Sequence, residues 1–202
     1  MNTLQLLRSF ESPIRGQARR GARSVLGQSL SSLVFLSMLT PSVIGQGTPF
    51  CFGDGSGTPC PCGNTSVVGA NEGCLSSLGL GGKLIASGTP SIGADTLVLS
   101  GSQMPNSSAL YFQGTAQQAG GAGGVFGDGL RCAAGSVIRL GTKANAAGVS
   151  HYPVAGDPAI SVRGLVTSPG TRTYQVWYRN AAAFCVSSTF NLTNGLLVTW
   201  TP

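Results

Sequence analysis

The chain has 202 residues and a formal net charge of +6, and only 9% of its residues are charged. The charge is uneven: residues 1–45 carry five arginines against Glu11, whereas residues 46–202 carry seven Lys/Arg against five acids. A near-neutral body has no phosphate-binding footprint, which argues against nucleic acid as a partner, and no apolar run reaches the roughly 20 residues of a membrane-spanning helix.

The first 45 residues read as a leader. Arg8, Arg15, Arg19, Arg20 and Arg23 precede an apolar stretch, Leu33–Leu39, then Pro41 and the compact Val43-Ile44-Gly45. This is the layout of a signal peptide, with cleavage expected near Gly45 and the mature protein secreted or held at the cell surface. Arg19-Arg20 lacks the apolar pair of a twin-arginine signal, so an ordinary basic leader is the better reading.

Residues 46–82 form a Cys/Gly-rich segment with almost no apolar run, expected to be a disulfide-held loop structure. All six cysteines follow Gly45, an even count that in an oxidising compartment predicts a disulfide framework. Four of them, Cys51, Cys60, Cys62 and Cys74, are clustered. The expectation is two local bridges of unknown pairing among these four, and one long-range bridge joining Cys132 and Cys185. The clustered spacing is not that of a zinc site.

From residue 83 to 202, short β-type runs alternate with turn residues. The expected strands are Lys83–Ser87, Thr96–Ser100, Ala109–Thr115, Ser136–Thr142, Ala159–Arg163, Thr171–Arg179 and Leu196–Thr201. Seven such runs predict an all-β fold, a β-sandwich of immunoglobulin-like or jelly-roll-like type, behind the disulfide-rich segment. In Thr171–Arg179 the alternation puts Tyr174, Val176 and Tyr178 on one face and Thr173, Gln175, Trp177 and Arg179 on the other. The last strand is apolar on both sides, and helix is expected to be minor.

The tetrapeptide Phe-Gly-Asp-Gly occurs twice beside a cysteine, at residues 52–55 and 126–129. Asp-Gly favours turns, and that reading is preferred to calcium ligation by Asp54 and Asp128, because a calcium loop needs further acids. No cofactor is therefore expected, with calcium the weak exception.

The segments Phe50-Cys-Phe-Gly-Asp-Gly-Ser-Gly-Thr-Pro-Cys-Pro-Cys-Gly-Asn64, Phe126-Gly-Asp-Gly-Leu-Arg-Cys132, Val137–Lys143, Ile160–Gly164 and Thr173–Asn180 resemble a family of exported planctomycete proteins of unknown function. The resemblance implies an extracytoplasmic β-rich module found as the terminal part of secreted proteins. It implies no activity and no site residue.

Chemistry-bearing residues are sparse. His151 is the one histidine, with Ser150 beside it and Asp157 six residues on, but no nucleophile elbow accompanies them, and catalysis is not expected. Asp54, Glu72, Asp128 and Asp157 fall beside Gly or Pro in turn-like settings, Asp95 begins an expected strand, and the five show no glycosidase pair. Trp177, Tyr178 and Tyr111, with Phe112 and Tyr152, are candidates for an aromatic platform that stacks on sugar rings; the competing reading places them in the core. Arg139, Arg163, Arg172 and Arg179 recur in or near strands, either as an anion surface or as guards against edge pairing. The expected function is a structural or interaction module of the cell surface or extracellular matrix. The alternative is a carbohydrate-binding module, and less favoured still is a hydrolase. An extracellular polysaccharide or another surface protein is the expected partner.

Overall fold

The computed structural model describes residues 46–202; the expected leader, with its cleavage site near Gly45, lies outside the described residues. In chain order the strands are β1 (Thr48–Phe50), β2 (Lys83–Ser87), β3 (Val98–Ser102), β4 (Ser108–Gly114), β5 (Ala116–Gln117), β6 (Gly124–Phe126) and β7 (Gly129–Arg131). They continue with β8 (Ala133–Ala134), β9 (Ile138–Ala144), β10 (Ser150–Tyr152), β11 (Gly170–Arg179), β12 (Phe190–Leu192) and β13 (Gly195–Trp200). The fold is all-β and sandwich-like, as expected. A six-stranded antiparallel sheet has the order β1-β13-β11-β4-β9 with β12 paired to β11, and a three-stranded sheet has the order β10-β3-β2.

The core forms where alternating side chains of the two sheets meet. Tyr111 of β4, Tyr174, Val176 and Tyr178 of β11, and Leu196, Val198 and Trp200 of β13 pack against Leu84, Leu99 and Tyr152 of the smaller sheet. The hydroxyls of Tyr111 and Tyr174 find partners inside this layer, whereas that of Tyr178 is buried without one. Tyr111 donates to the Ser150 carbonyl at 2.6 Å and accepts from the Gly101 amide, tying β4 to β3 and β10. Trp200 donates to Tyr174, whose hydroxyl donates to Gln113, whose amide donates to the Gly164 carbonyl.

The other face of β11 is covered as well. Two short ribbons, β5–β8 and β6–β7, lie over it together with the Cys-rich segment, so Thr173 and Gln175 are as buried as the residues facing the core. The Gln175 carboxamide oxygen accepts from the amides of Cys132 and Ala133, and its nitrogen donates to the carbonyls of Leu130 and Thr193. A hairpin turn at Gly127-Asp128 joins β6 to β7, confirming the turn reading of this Phe-Gly-Asp-Gly copy. Gly127 has φ +63° and lies so close to the Phe190 ring that a Cβ would be 2.3 Å from it, so a side chain is excluded on both counts.

Two expectations are corrected. Residues Ala159–Arg163 do not form a strand: Ile160–Arg163 is a helical turn, α1, entered after Pro158 and closed by Gly164. The Asp95 carboxylate accepts from the Ser161 amide at 2.7 Å, satisfying a donor at its start, and Ile160 plugs into the core. The disulfides are also not two local bridges plus Cys132–Cys185. They are Cys51–Cys132, Cys60–Cys74 and Cys62–Cys185, of which only Cys60–Cys74 lies within the cluster. The reason is topological. β1 pairs with β13, which sets Cys51 beside the covering ribbons that carry Cys132, while the loop after β11 delivers Cys185 to Cys62. The bridges therefore sew residues 46–82 to the later chain, closing spans of 81 and 123 residues, each worth about 4–5 kcal/mol if taken singly on a chain-entropy basis.

Cys51, Cys60, Cys74 and Cys132 are buried, whereas Cys62 is exposed and Cys185 half-buried. Limited reduction of the native protein followed by alkylation and mass mapping is expected to label Cys62 and Cys185 first. Early labelling of Cys51 or Cys132 would contradict this arrangement of layers.

Candidate functional site

The covering layer stops short of the β9 side of the sheet. Across that uncovered region the register sets Leu110 of β4 opposite Trp177 of β11, and Trp177 opposite Leu192 of β12, while Phe112 lies opposite Arg139 of β9. The half-buried Trp177 ring packs on Phe190 at 5.3 Å between centroids, and Phe190 on Phe126 at 4.9 Å. Phe126, Arg131, Val137 and Arg139 complete a groove of about 470 Å³. Val137 and Arg139 are also the wall of a neighbouring hollow of about 820 Å³ lined by Pro158, Val162, Arg163 and Leu165. The result is one apolar surface in which Phe126 is 45% exposed, Val137 41%, Val162 66% and Leu165 70%. Contiguous exposed apolar surface of this kind marks an interaction site more often than a lone exposed side chain does.

Guanidinium groups edge this surface. Arg131 is partly committed, donating from Nε to the Ala133 carbonyl at 3.1 Å. Arg163 donates from Nε to the Leu140 carbonyl of β9, the outermost strand, so it fills one of the positions through which a foreign strand would pair. Arg139 is exposed on the same strand, and none of the three forms an ion pair among the described residues.

The other candidates scatter. Tyr111, Tyr152 and Tyr178 are fully buried and cannot stack on a sugar, and Phe112 lines the groove but is only 7% exposed, so the expected platform is reduced to Trp177. The physical cause is that β4 and β11 are inner strands whose tyrosines face the sandwich core. Burial raises the pKa of Tyr111 and Tyr178 above that of a free phenol.

Asp128 is not a surface ligand either. It is fully buried, with its carboxylate accepting from the Asn180 amide at 3.2 Å and the Val186 backbone amide at 3.0 Å. Asp54 closes a local turn on Ser56, whose hydroxyl and amide hold its carboxyl below the usual range. Among the described residues no three His, Cys, Asp or Glu side chains gather at one point.

The triad-like residues diverge as well. His151 is exposed and meets Ser100 at 2.9 Å, the Ser150 hydroxyl lies 3.0 Å from that of Tyr111 in the core, and Asp157 is ion-paired with Lys143. The Lys143 contact is the main reason the Asp157 carboxyl is lowered.

Sequence reading singled out Trp177, Phe112, Arg139 and Arg163 but missed Phe126, Phe190, Arg131 and Val137. Phe126 was available in the Phe-Gly-Asp-Gly repeat, where the turn signal of its neighbours overshadowed it. Val137 falls inside the expected strand Ser136–Thr142, where nothing marks it as a site residue.

Asp128→Ala is expected to cost about 2–4 kcal/mol in urea denaturation, because it strands buried donors. Calcium is expected to leave the melting temperature unchanged; a calcium-dependent rise lost in Asp54→Asn would overturn the structural reading of both acids. No family model, curated protein or solved structure matches the chain, so its function has to be read from the chemistry of the groove.

Proposed function

We propose that this protein is an exported interaction module of the cell surface or extracellular matrix, and that it works by binding through the groove at Trp177 rather than by catalysis. The observation that carries the reading is the groove itself. It is a contiguous apolar hollow with an aromatic floor and a guanidinium rim on a domain otherwise closed by disulfides. Three bridges with no free cysteine among the described residues suit an oxidising compartment, as does the basic and then apolar leader. The resemblance to exported planctomycete proteins points to the same location. The separation of His151, Ser150 and Asp157 supports binding over hydrolysis, since none holds a partner in an acid–base relay.

A carbohydrate-binding role keeps one specific support, the half-open Trp177 at the floor of the groove. Against it, the ring is already packed by Phe190, and the two tyrosines that would extend a platform are interior.

Labelled, disulfide-intact protein added back to the cells that produce it is expected to be retained saturably. Val137→Asp and Arg139→Glu alter exposed side chains and are expected to weaken retention at least about tenfold while preserving the melting temperature. Val68→Asp, at a position 81% exposed and outside the groove, is the control and is expected to have no effect. Equal retention of all three variants would overturn the proposal.

A further inference from the structure

We infer that the groove takes an acidic polypeptide segment of a partner protein, one whose apolar side chains enter the hollow while flanking carboxylates meet Arg139, Arg131 and Arg163. This rests on the reading of the groove as a binding surface and goes further by naming the chemistry of the occupant.

The charge distribution carries the inference. Of the five acids in residues 46–202, Glu72 and Asp128 are buried. Asp95 accepts from the amides of Leu97 and Ser161, and Asp157 holds Lys143 in the one ion pair among the described residues. Asp54 is turned onto Ser56. The arginines around the groove have no such partner. Once a bound segment covers it against the apolar lining, a planar guanidinium gains most from a carboxylate, which it can engage with two parallel hydrogen bonds. Among the described residues a second copy of this chain would offer only acids already engaged in its own turns, backbone amides and ion pair, and would bring like charges together, so a different, acidic molecule is the complementary occupant.

The shape and lining select among acidic molecules. Sugar recognition needs hydrogen-bond partners for many hydroxyls as well as a free aromatic face. Here the polar side chains lining the groove are arginines, and Trp177 is packed by Phe190. The hollow suits aliphatic or aromatic side chains, and it shares Val137 and Arg139 with the neighbouring hollow at Val162 and Leu165, so successive apolar side chains of one segment have two adjoining places to enter. Because Arg163 occupies the Leu140 carbonyl, recognition is expected through side chains rather than by strand addition to β9.

The test is fluorescence anisotropy with a labelled peptide in which glutamates alternate with leucine and phenylalanine. Its counterparts are a lysine-for-glutamate version, polyglutamate, and the anionic polysaccharides polygalacturonate and heparin. The acidic apolar peptide is expected to bind, to lose affinity as salt is raised, and to be weakened at least about tenfold by Arg139→Glu and by Val137→Asp. The lysine version and polyglutamate are expected to bind at least about tenfold more weakly. The inference is overturned if polyglutamate binds as tightly, if both variants bind unchanged, or if the peptide fails to bind. It also falls if a polysaccharide binds the groove in its place. Should cell-surface retention depend on Val137 and Arg139 while only a polysaccharide binds, the interaction reading stands and the polypeptide inference alone is lost.

Discussion

The arrangement depends on how the central strand β11 is covered on both faces. An inner strand flanked by β13 and β4 has no backbone groups left to offer above its plane, so what lies over it must be held by side chains. Gln175 does this with one buried carboxamide, satisfying two amides and two carbonyls of the ribbon and loop that cross it. Each of those groups would otherwise be a desolvated, unpaired polar atom costing about 1–3 kcal/mol. The neighbouring Cys51–Cys132 bridge then makes the position of that layer covalent. Where the layer ends, the same sheet face is left with Trp177, Phe112 and Leu110, and that boundary creates the groove.

Charge follows the same division. The acids are spent inside the protein, on turns, a helix start, a buried loop and one ion pair, whereas the arginines near β9 point outward. The domain therefore offers cationic, apolar surface without being strongly basic overall. Net charge alone does not show this, because it counts the buried Asp128 equally with the exposed Arg139. A weakly charged protein can be selective in this way through where its charges are placed.

The long strands were legible because a two-residue period is strong in Tyr174-Gln175-Val176-Trp177-Tyr178. That pattern could not tell that both faces are covered, since the covering comes from ribbons of two or three residues, too short to carry a period. Ile160-Ser-Val-Arg163 was misread because β-branched residues favour strands, while the helical turn is imposed by Pro158, Gly164 and the distant Asp95. The disulfide pairing departs from the sequence expectation for a related reason: cysteines close in sequence are not the ones close in space, because β1 pairs with β13 at the far end of the chain. At the candidate site Trp177 was visible and Val137 was not, because an ordinary exposed valine becomes part of a groove only through its neighbours.

The chain contains two tryptophans, and the structure puts Trp200 in the core and the half-buried Trp177 on the floor of a cationic groove. Quenching of tryptophan fluorescence by iodide and by caesium reads accessibility and local charge together. One accessible emission component is expected, quenched strongly by iodide, weakly by caesium, and absent in Trp177→Phe. If neither tryptophan is quenched, or if caesium quenches as well as iodide, then the covering layer does not end at Trp177 or the groove is not cationic, and the binding surface described above does not exist.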